Sequence, residues 1–211
     1  MAAKNKAERT GYLLVVCGML LILGSLVLLW MNIQEADAAG EAAGRAMNDV
    51  RHYINTVQAE AADSTPAVPS VQELFSEPEQ PQMPAVEVQG NVYIGTLQFP
   101  SLGLELPVMD ECNTQNMQNT PCRYAGSVET DDLVICGHNY RTTFGRLRRL
   151  NRGDSVVFTA MDGTVYRYAV VELEVLEPEE IDRMIHSEFD LSLYTCTYYG
   201  RQRLTVRCKR L

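Results

Sequence analysis

The sequence predicts a mainly β domain, a closed or nearly closed barrel of about seven or eight short strands, behind a membrane-spanning helix and a linker. Three observations carry this reading. From Val92 onward, short runs rich in Val, Ile, Leu, Tyr and Thr alternate with turn residues. Helical patterning in that region is confined to two short pieces. Near the N-terminus, residues 11–33 form an uncharged, apolar run.

The N-terminal elements come first. Residues 1–10 carry Lys4, Lys6 and Arg9 and read as a cytoplasmic tail. Residues 11–33 suffice for a transmembrane helix, which needs about 20 residues. Basic residues ahead of the span favour a cytoplasmic N-terminus and an extracellular C-terminal bulk. A cleaved signal peptide is the alternative, with small residues at Ala36, Ala38 and Ala39. Its apolar region would typically run about 7–15 residues, shorter than this one.

Residues 34–89 read as a helical stalk followed by a linker. In the stalk, Ala43, Met47, Val50, Ile54 and Val57 recur at helical spacing. A solvated, partly helical stalk is the expectation, with docking on the domain or self-association as the sharper alternative. Beyond it, Pro66, Pro69, Pro78, Pro81 and Pro84 mix with Glu73, Glu77, Glu79 and Glu87. Missing donors and like charges there predict an extended linker, with a brief helical turn at Val71–Phe75.

Residues 90–211 hold the barrel. Val92 to Pro100 is a strand stopped by proline, and Leu104 to Val108 returns it as a hairpin. Further strands are expected at 132–136, 155–160, 164–176, 191–195 and 203–209. Asp162-Gly163 supplies the positive φ of a tight hairpin turn. The helical pieces are 143–150 and 178–185.

Composition limits the function classes. A net charge of −9 with pI near 4.9 argues against nucleic acid as a partner, because phosphate binding needs a basic face. Phosphate-loop, dinucleotide and HExxH patterns do not occur in the sequence. Three histidines, His52, His138 and His186, argue against a histidine-built metal site. Outside the span lie Cys112, Cys122, Cys136, Cys196 and Cys208, an odd number, so at least one thiol is left over or pairs between molecules. Cys112 and Cys122 bracket a polar loop and could form a disulfide, which an extracellular location permits. Cys136 and Cys208 sit in apolar strands and read as packing residues.

Chemistry concentrates at two strand ends. Leu191 to Thr197 reads as a strand ending on Cys196, followed by a turn and a second strand opening on Arg203. Thr195 flanks the thiol, and a positive neighbour favours thiolate. Leu133 to Asn139 has the same form, with Gly137 and then His138 and Asn139 at the mouth. Histidine titrates in the working range for proton transfer. Arg201, Arg207 and Arg210 lie near Arg203, and only its position nearest the turn favours Arg203. His52 and His186 read as bystanders. Glu172, Glu174, Glu177, Glu179 and Glu180 could bind calcium, but lack EF-hand spacing and read as a solvated rim.

These pieces together resemble a sortase, the membrane-anchored cysteine transpeptidases of Gram-positive bacteria. The matching segments are Ile94-Gly95-Thr96-Leu97, Leu106-Pro107-Val108, Ala125-Gly126, Val134 to Asn139, Phe144-Gly145-Arg146-Leu147, Leu193 to Thr197 and Arg203 to Arg207, in family order. The resemblance implies an eight-stranded β-barrel and a trio of Cys196 as nucleophile, His138 as proton donor and acceptor, and Arg203 as substrate or oxyanion clamp. It implies cleavage of an LPxTG-like sorting signal after threonine through a thioester. Transfer would follow to an amine of a peptidoglycan precursor or a pilin, without a cofactor. Its partners would be extracellular proteins bearing a C-terminal sorting signal, with Thr195 and Asn139 lining the substrate site. The short 176–191 connection does not match class B, and the missing second span and lid motif disfavour class C, so the chain resembles classes A, D or E. The rival readings are an anchored β-domain that binds a cell-envelope partner and another cell-wall cysteine peptidase. A papain-like enzyme would place cysteine before histidine, and an L,D-transpeptidase would show Ser-x-Gly-Cys; neither pattern fits here.

Overall fold

A computed structural model describes residues 2–63, 83–197 and 200–211. Two compact units divide the chain, 1–38 and 39–211, and helix α1 (Ala2–Asp63) contributes to both. In the first unit the helix is long and apolar enough to cross a membrane. Its large side chains, including Leu13, Leu21, Leu28 and Trp30, are exposed all round. A helix apolar on every face suits a lipid environment, where its backbone bonds are satisfied internally.

The second unit is built on nine strands. They are β1 (Val86–Val88), β2 (Asn91–Phe99), β3 (Leu104–Met109), β4 (Cys122–Ala125), β5 (Leu133–Cys136), β6 (Ser155–Ala160), β7 (Val165–Leu176), β8 (Leu191–Cys196) and β9 (Arg203–Arg210). Their order is β1-β2-β3-β4-β5-β8-β9-β7-β6, and β6 pairs back onto β2. Eight strands therefore close a barrel, and β1 lies outside it on β2. Closure removes the open edges that would otherwise pair with other chains. Two short helices, α2 (Thr114–Asn119) and α3 (Ile181–Ile185), and a 3-10 segment at Phe144–Arg149 complete the unit.

Strand β5 shows how the sequence encodes its position. All four of its residues are buried, so it reads as a continuous apolar run and not as an alternation. Leu133 and Ile135 belong to the barrel interior with Phe99, Phe158 and Val206. Val134 and Cys136 point the other way, into a second apolar layer with Tyr194, Leu176 and Met184. Two layers on one strand leave no solvent face.

The structure departs from the expected solvated stalk. Ala43, Met47, Val50 and Ile54 are all buried, and Val50 and Ile54 join the outer apolar layer. The helical stripe that residues 39–63 present is thus a packing face. Arg51 pairs with Glu105 on β3, and Gln58 Nε2 donates to the Gly163 carbonyl oxygen at 2.9 Å. Three further elements lacked a sequence signal, and one of them, β1, pairs onto β2 from within the stretch expected to be linker. Strand β4 is only four residues long, and its Arg123 is turned toward Asp110. Helix α2 occupies the polar loop between Cys112 and Cys122, where Asn113 caps it by accepting from the Asn116 N–H at 2.8 Å. The turn expected at Val71–Phe75 lies outside the described residues.

Candidate active site

Register decides which side chains share a face. Across the antiparallel β8–β9 pair, Cys196 is opposite Arg203, Tyr194 opposite Thr205, and Ser192 opposite Arg207. Directly paired residues point to the same side of a sheet, and so do residues two apart. Tyr194, Cys196 and Arg203 therefore project together, on the side away from the barrel interior. The Arg203 guanidinium carbon lies 5.4 Å from the centre of the Tyr194 ring, a cation–π placement on the face that also carries Cys196.

The parallel β5–β8 pair brings in the histidine. Cys136 is level with Tyr194, and the ladder continues as Gly137 N–H donates to the Tyr194 carbonyl oxygen at 3.1 Å. Continuing that register by two residues sets position 138 level with position 196, on the face that carries Cys136. His138 packs its ring against Tyr140 with centroids 4.1 Å apart, and its N–H donates to the Met117 carbonyl oxygen of α2 at 3.3 Å. Cys196, His138, Asn139 and Arg203 are all half-buried, open to solvent but held by the sheet.

Two glycines shape the histidine segment. A Cβ on Gly137 would stand 2.8 Å from the Phe144 ring, and one on Gly145 would stand 2.3 Å from the Asn139 carbonyl oxygen. Only glycine lets the 3-10 segment fold this tightly against the histidine strand.

Hydrogen bonding distinguishes the arginines. Arg207 is fully buried and committed: it bonds Glu174 through Nε at 2.7 Å, Ser192 Oγ at 2.7 Å and the Arg183 carbonyl oxygen at 2.7 Å. Arg210 pairs with Asp131 at 2.7 Å, and Arg201 is exposed. Arg203 Nη1, by contrast, is buried with no hydrogen-bond partner among the described residues. A buried donor without a partner costs about 1–3 kcal/mol, so such groups call for a functional explanation.

Other expected site residues are placed differently. Thr195 faces the barrel interior with Leu193, opposite to Cys196, and its Oγ1 is buried without a partner among the described residues. Cys112 and Cys122 do meet, and Cys136 joins them: the three sulfurs lie within 4.8 Å of one another as free thiols. Bonds from Cys122 and Cys136 hold the Cys112 thiol down at about 4. The same bonding, with burial behind it, pushes Cys122 and Cys136 up. Cys208 is a buried packing residue, pushed up to about 12 by desolvation. Of the acidic residues, Glu174 is taken up by Arg207 and Arg183, Glu180 by Arg183, and Glu177 by Gln202. The sequence reading overlooked Tyr194, the platform for Arg203; its place two residues before Cys196 is the signal that could have found it.

A thiol, an imidazole and a guanidinium at one end of a closed barrel define a β-barrel protein equipped for thiol chemistry at its rim. The chain belongs to the sortase family: the model of the sortase domain matches residues 97–211. Sortases are cysteine transpeptidases of the cell wall, and generally work without a cofactor. Among solved structures, sortase C of Streptococcus pneumoniae aligns with a TM-score of 0.52 at 21% identity, covering 78% of this chain and 89% of that one. Sortase C1 of Streptococcus agalactiae aligns with a TM-score of 0.51 at 24% identity, covering 60% and 70%. At these identities the likeness speaks for the fold alone. A comparison with curated proteins gave no match.

Proposed function

We propose that this sortase cleaves an LPxTG-like sorting signal after threonine and transfers the protein to an amine of the cell wall or of a pilin. Cys196 is the nucleophile, His138 the proton donor and acceptor, and Arg203 the clamp on the substrate carbonyl. The observation that carries the reading is the Nη1 of Arg203, buried and without a hydrogen-bond partner among the described residues, on the strand position opposite Cys196 and with its guanidinium over the Tyr194 ring. A donor kept dry and unpaired is suited to an oxygen that arrives with substrate or gains charge in the transition state.

In the first half-reaction, the Cys196 thiolate adds to the threonine carbonyl carbon, and Arg203 donates to the resulting oxyanion. The oxyanion collapses, the C–N bond breaks, and His138 gives a proton to the departing amine. The product is a thioester on Cys196. In the second half-reaction, the incoming amine loses a proton to His138 and attacks the thioester carbon. The C–S bond breaks and returns the thiolate. Two modest barriers replace one amide exchange, and the thioester keeps the acyl group activated for the second amine. Asn139 lines the entrance beside His138. Thr195 can contribute only its main chain, because its side chain points inward.

Residues 11–33 anchor the enzyme as a single span, with 1–10 cytoplasmic and the barrel at 90–211 outside the cell. Extracellular proteins bearing a C-terminal sorting signal are the acyl donors, and a peptidoglycan precursor or a pilin lysine supplies the amine.

The test is covalent trapping. The full chain in detergent is treated with a sorting-signal peptide whose threonine carbonyl is replaced by a thiol-reactive group, and the adduct is located by mass spectrometry. A single adduct on Cys196, absent from Cys196→Ala, is the expected result. Labelling spread over several cysteines, or equal labelling of the variant, would overturn the assignment.

A further inference from the structure

A second cluster of thiols lies one step along the strands from the proposed nucleophile, since Cys136 is level with Tyr194. Cys112 precedes helix α2, Cys122 opens strand β4 just after it, and Cys136 is the cross-strand partner of Cys122 on β5. Their sulfurs lie within 4.8 Å of one another, although the residues are contributed by three separate segments. Cys122 and Cys136 are buried, while Cys112 is half-buried and lines a cavity of about 400 Å³. Asp110, Glu111 and Arg123 also line that cavity, and Arg123 is paired there with Asp110.

We propose that Cys112, Cys122 and Cys136 form a binding site for one thiophilic d10 cation, of which zinc is the representative. Three sulfurs converging from a strand pair and a loop provide three corners of a tetrahedron. The fourth corner faces the cavity, where water completes the shell. Each sulfur binds as the thiolate, and every S–H proton displaced by the metal goes to solvent. Three thiolates against a divalent ion leave one negative charge, beside a cavity wall where Arg123 is paired with Asp110.

A cation engages all three sulfurs, whereas a Cys112–Cys122 disulfide, which the loop allows, leaves Cys136 as a buried thiol against a disulfide. The site also has a structural consequence. It ties both ends of the α2 segment to strand β5, and α2 supplies the Met117 carbonyl oxygen that receives the His138 N–H. The cation would fix the segment that holds the histidine strand in place, without touching substrate.

The test uses the full chain in detergent, with Cys17→Ser and Cys196→Ala introduced so that only Cys208 and the cluster remain as thiols. After reduction with a phosphine and removal of metal, cadmium is titrated and the ultraviolet thiolate-to-cadmium charge-transfer band is followed. Zinc is then added in competition. One cadmium per chain, displaced by zinc and lost in Cys112→Ser, is the expected result. Cys112 is half-buried on a loop, so its serine variant keeps the barrel, which circular dichroism verifies. Absence of the band, or uptake unchanged by Cys112→Ser and by Cys136→Ser, would overturn the site. So would a reduced protein that takes up no cation and simply reforms a Cys112–Cys122 disulfide. None of these readouts depends on Cys196, so failure here leaves the proposed reaction standing, and failure of the reaction leaves this site standing.

Discussion

Gly137 donates its N–H to the carbonyl oxygen of Tyr194, 3.1 Å away. That single bond carries the chain on past the Cys136–Tyr194 pair, the last of the parallel β5–β8 ladder, toward His138. The histidine and the cysteine are 58 positions apart in the sequence (196 minus 138). Register, not proximity in sequence, brings them to the same end of the barrel.

Arg203→Lys should lose nearly as much activity as Arg203→Ala. Lysine offers a point charge, while the proposed clamp needs a planar fork stacked on Tyr194. Turnover of a sorting-signal peptide checks this, and recovery of most activity by lysine would remove the clamp role.

Arg207 is expected to behave in the opposite way. Its Arg207→Met variant leaves the Glu174 carboxylate without the Nε–H it accepts at 2.7 Å in a nearly closed environment. Glu174 keeps Arg183 at 2.7 Å, so the loss is smaller than that of breaking a fully buried pair, about 3–5 kcal/mol. Denaturant unfolding should show that loss. Residual folded enzyme should turn over at an ordinary rate per active site.

Gly145→Ala should weaken both stability and turnover. Its new Cβ meets the Asn139 carbonyl oxygen at 2.3 Å, a backbone contact that can yield only by moving the histidine strand. Overpacking of this kind costs about 1–3 kcal/mol. Gly90→Ala is the control for glycine-specific strain, since its Cβ meets nothing within 4 Å although its φ is +80°. It should unfold slightly more easily with turnover unchanged.

Met47→Ala tests the packed end of helix α1. If residues 39–63 were only a solvated spacer, truncation would have no effect on unfolding. Because Met47 is 5% exposed in the second unit, the expected loss is about 2–5 kcal/mol. Thermal unfolding followed by near-ultraviolet circular dichroism checks it.

Much of this was legible in the linear chain, and the limits of that reading are physical. The strand runs announced themselves: Ser155–Ala160 falls where β-forming residues and the Asp162-Gly163 turn place it. Strand β4 did not, since four residues of mixed character carry no period. Helix α2 was hidden because polar residues suit a loop as well as a capped turn. The stripe from Ala43 to Ile54 was visible, but a period of 3.6 residues identifies an apolar face without saying what covers it.

By itself, the sequence determined the apolar run long enough for a bilayer, the β-rich domain and the three segments bearing Cys196, His138 and Arg203. Each depends on local composition and spacing, which the linear chain contains in full. Only the tertiary structure decided that Arg203 and not Arg207 keeps a buried donor unpartnered among the described residues, that Thr195 turns inward, and that Cys136 joins Cys112 and Cys122. Those outcomes depend on strand register and on which face of a strand is covered. Register is fixed by pairing between distant segments, where a shift of one residue reverses every side chain.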